Sequence, residues 1–177
     1  MAWIFRPGLP GETRTFDYKP SGKDVHTFSD RPRDCVFAGD TLALVGEVNG
    51  LHGNENIKRD RLVVLRAHTD SPEVEWDVAP LGIMTQSGAQ AVDVDVLGRL
   101  VVGGYMCSDD CDPEGLLRIY DGQGNPTWSL GTFPTKQWAV HDLAWSPAGY
   151  AVVATGGTQG SEAAFTVRAC KPWTLEP

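Results

Sequence analysis

Apolar residues come in short runs that break off after about five positions. Thr41-Leu-Ala-Leu-Val-Gly46, Arg61-Leu-Val-Val-Leu-Arg66, Arg99-Leu-Val-Val-Gly-Gly104, Leu116-Leu-Arg-Ile-Tyr120 and Tyr150-Ala-Val-Val-Ala154 are each closed by Gly, Asp, Pro or Asn nearby. Runs of this length, bounded by turn residues, predict β-strands, because a helix needs ten or more residues. In Leu116–Tyr120 a period of two sends Leu117 and Ile119 to one side and Leu116, Arg118 and Tyr120 to the other. Both sides are largely apolar, so such a strand needs cover on both faces. The chain reads as all-β.

The runs repeat. Asp34 to Gly46, Leu62 to Arg66 and Val74 to Trp76 align with Val92 to Gly104, Leu116 to Tyr120 and Pro126 to Trp128. A third copy runs through His141 to Ala154, Phe165 to Arg168 and Pro172 to Trp173. Arg66, Arg118 and Arg168 recur at intervals of 52 and 50 residues, and length variation falls in loops. Each unit holds four short strands, A to D, joined by hairpin turns such as Asp121-Gly-Gln-Gly-Asn125. The N-terminal stretch fits in part, with Ala2 to Phe5 as strand B, Thr13 to Tyr18 as strand C and Asp24 to Phe28 as strand D. The expected organisation is one domain with a partial N-terminal blade over 1–28 and units over 29–79, 80–131 and 132–177.

A repeated four-stranded antiparallel unit of this length is the pattern of a β-propeller blade. The segment Arg118-Ile-Tyr-Asp-Gly-Gln-Gly-Asn-Pro-Thr-Trp128 resembles the Arg-x-Tyr-Asp-x-x-Gly-Asn-x-x-Trp motif of secreted bacterial β-propeller repeat proteins. That resemblance covers about Thr13 to Trp173 and implies architecture, not activity. Propellers close with about 4 to 8 blades. Three whole units and a partial one lead to two expectations. Either the N-terminal strands complete a small four-bladed ring, or the chain is a partial propeller, whether a fragment of a longer chain or a protomer that packs against further copies.

Charge and composition narrow the partners. The 177 residues carry 15 Lys+Arg against 23 Asp+Glu, a net charge of −8, with no basic cluster. Nucleic acid is therefore not an expected partner. No apolar run approaches the ~18 residues of a membrane span. Loop cysteines, acidity and the resemblance together lead to an extracellular or periplasmic expectation.

Candidate chemistry sits in loops. Cys107 and Cys111 are close enough to form a disulfide within their own loop, while Cys35 and Cys170 fall in strands. Zinc does not fit, because no second cysteine pair or nearby histidine completes four ligands. Asp109, Asp110, Asp112 and Glu114 offer oxygens to Ca²⁺, but the spacing is not that of an EF-hand and also suits a solvated acidic loop. The recurring arginines predict a framework role, with Asp93 and Asp142 as equivalent strand-A partners. Non-repeated residues in the long connections are the candidate ligand-binding set: Asn49, His52, Asn54 and Glu55 in the first, and Lys136, Gln137, Trp138 and His141 around the last.

No nucleophile elbow, phosphate loop or zinc-protease motif is present in the sequence. The functional expectation is a non-enzymatic interaction or structural module whose propeller face binds a protein or a carbohydrate. The alternatives are a propeller-based hydrolase or lyase with acids converging near His141, and a purely architectural blade array packed against sister chains. No cofactor other than Ca²⁺ is suggested.

Overall fold

The computed structural model describes residues 2–5, 13–16, 31–39, 41–52, 55–66, 73–78, 86–107, 113–130, 138–159 and 162–170. Among them there is no helix, and the chain is all-β. Strands β1 (Ala2–Phe5) and β2 (Thr13–Phe16) form an antiparallel pair. A first sheet has the order β3 (Arg31–Ala38), β4 (Thr41–His52), β5 (Glu55–Arg66), β6 (Glu73–Val78). A second runs β7 (Gln86–Val94), β8 (Leu100–Cys107), β9 (Pro113–Tyr120), β10 (Pro126–Leu130), each antiparallel to the one before. The third is β11 (Trp138–Ser146), β12 (Tyr150–Gln159), β13 (Glu162–Cys170). One parallel bridge, Trp138 to Glu114, ties β11 to β9, so the second and third sheets are two arms of one seven-stranded sheet. The strands expected at Asp24–Phe28 and Pro172–Trp173 lie outside the described residues.

Each sheet is a meander because each connection between paired strands is short enough for a hairpin. Two turns in the second sheet use the same device. In Asp95-Val-Leu-Gly-Arg99, the amides of Leu97 and Arg99 donate to Asp95 Oδ1 at 2.8 and 2.9 Å. In Asp121-Gly-Gln-Gly-Asn125, the amides of Gln123 and Asn125 donate to Asp121 Oδ1 at 2.9 and 2.8 Å. Gly98 and Gly124, with φ of 77° and 83°, take the left-handed position that closes each turn. The Asn125 amide, with smaller contributions from its side chain and from Gln123 and Gly124, holds the Asp121 carboxyl below its ordinary value. Its contribution to stability is present above the unfolded aspartate value of ~3.9 and is lost as pH falls through the lower folded value.

The second sheet is covered on both sides. Val102, Leu100, Val92, Ala89 and Tyr120 pack with Ala43 and Val45 of the first sheet. Val101, Leu117, Ile119 and Ala91 pack with Val140, Leu143, Ala151 and Val153 of the third. Val101 and Val102 are neighbours in β8, both 0% exposed, and each belongs to a different core. Pleating forces that division, since successive side chains leave opposite faces of a strand. Full burial of each such side chain stabilises by about 1.5 to 3 kcal/mol.

The stack has a direction. In each sheet the first strand carries a one-residue bulge, at Arg33, Gln90 and His141. Counting from the bulge puts Asp34, Ala91 and Asp142 level with one another. Asp93 therefore stands two positions beyond Asp142, and their sequence equivalence is corrected by that register. The face of the first sheet turned to the second carries Val36, Ala38, Ala43 and Val45. At the level of Val36, Ala43 and Val45, the third sheet has Ala144, Val152 and Ala154, on the side away from the second sheet. The sheets thus stack head to tail, each turning the same face to the next.

Aspartates fasten the stack. The Val92 amide donates to Asp34 Oδ2 at 2.9 Å, and the Trp145 amide donates to Asp93 Oδ2 at 2.5 Å. In both, Oδ1 accepts the amide of the following residue, Cys35 or Val94, at 2.8 Å. Both oxygens of Asp93 are thus engaged by backbone amides. Asp142 makes the same local bond, from the Leu143 amide at 2.9 Å, but is exposed rather than buried against an arginine, because it lies on an uncovered face.

Candidate functional site

The densest polar cluster of the described residues lies at the seam between the first two sheets. Glu47, near the start of the β4–β5 ribbon, is 2% exposed. Arg33 Nη2 donates to its Oε1 and Oε2 at 3.2 and 3.3 Å, Gln90 Nε2 to Oε1 at 2.8 Å, and the Tyr105 hydroxyl to Oε1 at 3.5 Å. The bulges position two of these donors: Arg33 and Gln90 are the extra residues of β3 and β7, and a bulge re-aims the side chain that it carries. Gly88 leaves room for the cluster, since a Cβ there would stand 2.8 Å from Glu47 Oε1 and 2.5 Å from Tyr105 Cε1.

Chemically this is a fastening. Oε1 already takes three donors, and the group has almost no solvent contact, so it is poorly placed to exchange protons with a substrate. Removing the guanidinium would leave a buried carboxylate with only neutral donors. Arg33→Ala is expected to lower stability by about 2 kcal/mol, less than the ~3–5 for a fully buried pair because the Arg33 side chain is 37% exposed. A urea midpoint shifted by that amount, partly restored in Arg33→Lys, checks it; an unchanged midpoint would contradict it.

The expected binding residues fall into two groups. His52 and Glu55 are directly paired at the end of a two-stranded ribbon, with Asn49 opposite Lys58 farther back. The long connection expected to carry these residues is thus strand on both sides: β4 and β5 continue past the ends of β3 and β6. Trp138 opens β11 opposite Gly157, and His141 is the exposed bulge residue of that strand. Asn54, Lys136 and Gln137 lie outside the described residues. The ribbon belongs to the first sheet and Trp138 to His141 to the third, with the second sheet between them.

Of the proposed cation ligands, Glu114 sits in β9 opposite Met106, half-buried, and Asp109, Asp110 and Asp112 lie outside the described residues. Among the described residues, no three potential ligands gather. Cys107 is buried at the end of β8, level with Pro113, and Cys111, its expected disulfide partner, lies outside the described residues. Comparison with family models, with characterised proteins and with solved structures finds no match.

Cys35 is an exposed thiol whose partial burial, and then the charge of Asp34, push its pKa up. Fewer thiolates form at neutral pH as a result. Alkylation by iodoacetamide at pH 7.5 is expected to be slower at Cys35 than for an unstructured cysteine peptide, and to accelerate only above the ordinary thiol value of ~8.5. Equal rates at pH 7.5 would contradict the shift.

Proposed function

We propose that the chain is a non-enzymatic interaction or structural module built from β-propeller-type blades, with a face that binds a protein or a carbohydrate. The observation that supports this reading is the use of its polar groups. Glu47, Asp34, Asp93, Asp95 and Asp121 are engaged by partners within the fold, so among the described residues these acids serve as fastenings and leave the surface to meet a ligand. The connections from β4 to β5, β6 to β7, β8 to β9, β10 to β11 and β12 to β13 leave the sheets at the ends where β7 and β11 begin. Non-repeated residues at such an edge can vary without disturbing the cores beneath.

No helix of the described residues is long and apolar enough to cross a membrane. An extracellular or periplasmic setting remains part of the proposal, resting on the acidity, the loop cysteines and the blade motif. A glycan and peptide array probed with the whole chain tests the function. Binding that falls at least tenfold in His141→Ala and Trp138→Ala is the expected outcome. Hydrolysis of an arrayed glycan would replace this reading with the hydrolase alternative, and the absence of any bound ligand would leave the blade array as architecture.

A further inference from the structure

We propose that the uncovered face of the third sheet is a docking surface for a second copy of this chain, which presents the outer face of its own first sheet. The inference rests on the blade reading above and extends it to a named partner. Three observations carry it.

The first is repetition. In the first and second sheets, the face turned toward the next sheet is buried and is fastened by an aspartate that accepts a backbone amide of that next sheet. The corresponding face of the third sheet carries Ala144, Val152 and Ala154, with Val167 directly opposite Ala154. It is apolar, and Val167 is 60% exposed. Asp142 is level with Asp34 and makes the same local bond to its following amide, while among the described residues Oδ2 has no donor. The surface has the form of a seam whose other half is absent.

The second is complementarity. What covers this face in the other seams is the reverse side of a sheet of the same kind. One such reverse side is open in part: on the first sheet Cys35 is exposed and Phe37 is 55% exposed, while Leu42, paired with Phe37, is 4% exposed and Leu44 half-buried. Head-to-tail surfaces of this kind join copies into rings or filaments. Two chains with three sheets each would give six, inside the ~4–8 range in which propellers close.

The third is size. Strands β1 and β2 have four residues each and span about 13 Å. The third sheet has three strands of nine or ten residues, about 30 Å long. Strands β1 and β2 by themselves are too small to cover it.

Sedimentation equilibrium of the 177-residue chain tests the proposal. The expected mass is twice 19.2 kDa. Val167→Asp on one face and Phe37→Asp on the other should each give the single-chain mass, with the β-type circular dichroism of the parent. A one-to-one mixture of the two variants should associate again, because each retains the face that the other has lost. Asp142→Asn should weaken pairing about tenfold without changing the fold. If Val167→Asp loses its β signal, Ala144→Arg replaces it. A wild-type chain of single mass at 100 µM, a variant that still pairs, a mixture that stays apart, or masses above two chains would each overturn the closed pair. A single-chain protein that still binds an arrayed ligand defeats the pairing alone; a pair that binds nothing defeats the ligand reading alone.

Discussion

Leu117→Ala is expected to lower stability by about 3 to 4 kcal/mol and the melting temperature by about 10 °C. Leu117 is 0% exposed and packs among Ile119, Val140, Leu143 and Val153, so its removal opens a cavity between the second and third sheets. Both sheets are fixed by their other contacts, which limits collapse into the void and keeps the cost toward the upper part of the usual range. Against a total stability of about 5–15 kcal/mol, this is a large fraction. Differential scanning calorimetry checks it. A loss below about 1 kcal/mol would mean that the third sheet does not press on this face.

Asp93→Ala comes next, at about 2 to 3 kcal/mol. It strips acceptors from two backbone amides, of Val94 within its own strand and of Trp145 across the seam. A buried amide left without an acceptor costs about 1 to 3 kcal/mol, and hydrogen bonds to charged groups lie at the strong end. Asp34→Ala acts in the same way at the other seam, through Cys35 and Val92. The two residues share no partner, so the double variant should lose the sum of the two effects to within about 0.5 kcal/mol. Chemical denaturation of the three variants supplies the comparison. A change below about 0.5 kcal/mol for Asp93→Ala would contradict the fastening.

Strand positions were legible in the sequence because period-two alternation and turn residues act locally. Leu116 to Tyr120 announces a strand that needs cover on both sides, and Leu116, Leu117, Ile119 and Tyr120 are all buried. The seams were much less legible. Arg33 and Gln90 become donors to Glu47 only because each is the extra residue of a bulge, and a bulge leaves no mark in composition. The same bulges displaced Asp93 by two positions from its apparent counterpart, Asp142. Glu47 looked like an ordinary polar residue after a strand, since the continuation of β4 into a ribbon depends on pairing with β5 rather than on apolar alternation. One signal was available: Asp95-Val-Leu-Gly98 has the aspartate-to-glycine spacing of Asp121-Gly-Gln-Gly124, and both make the same turn.

Methyl NOE spectroscopy on β8 addresses the arrangement of the three sheets without any substitution. Val102 should show cross-peaks to Ala43 and Val45 and none to the third sheet, while its neighbour Val101 should show them to Val140 and Val153 and none to the first. Cross-peaks from both valines to one sheet only, or from either to neither, would contradict a middle sheet enclosed by two others.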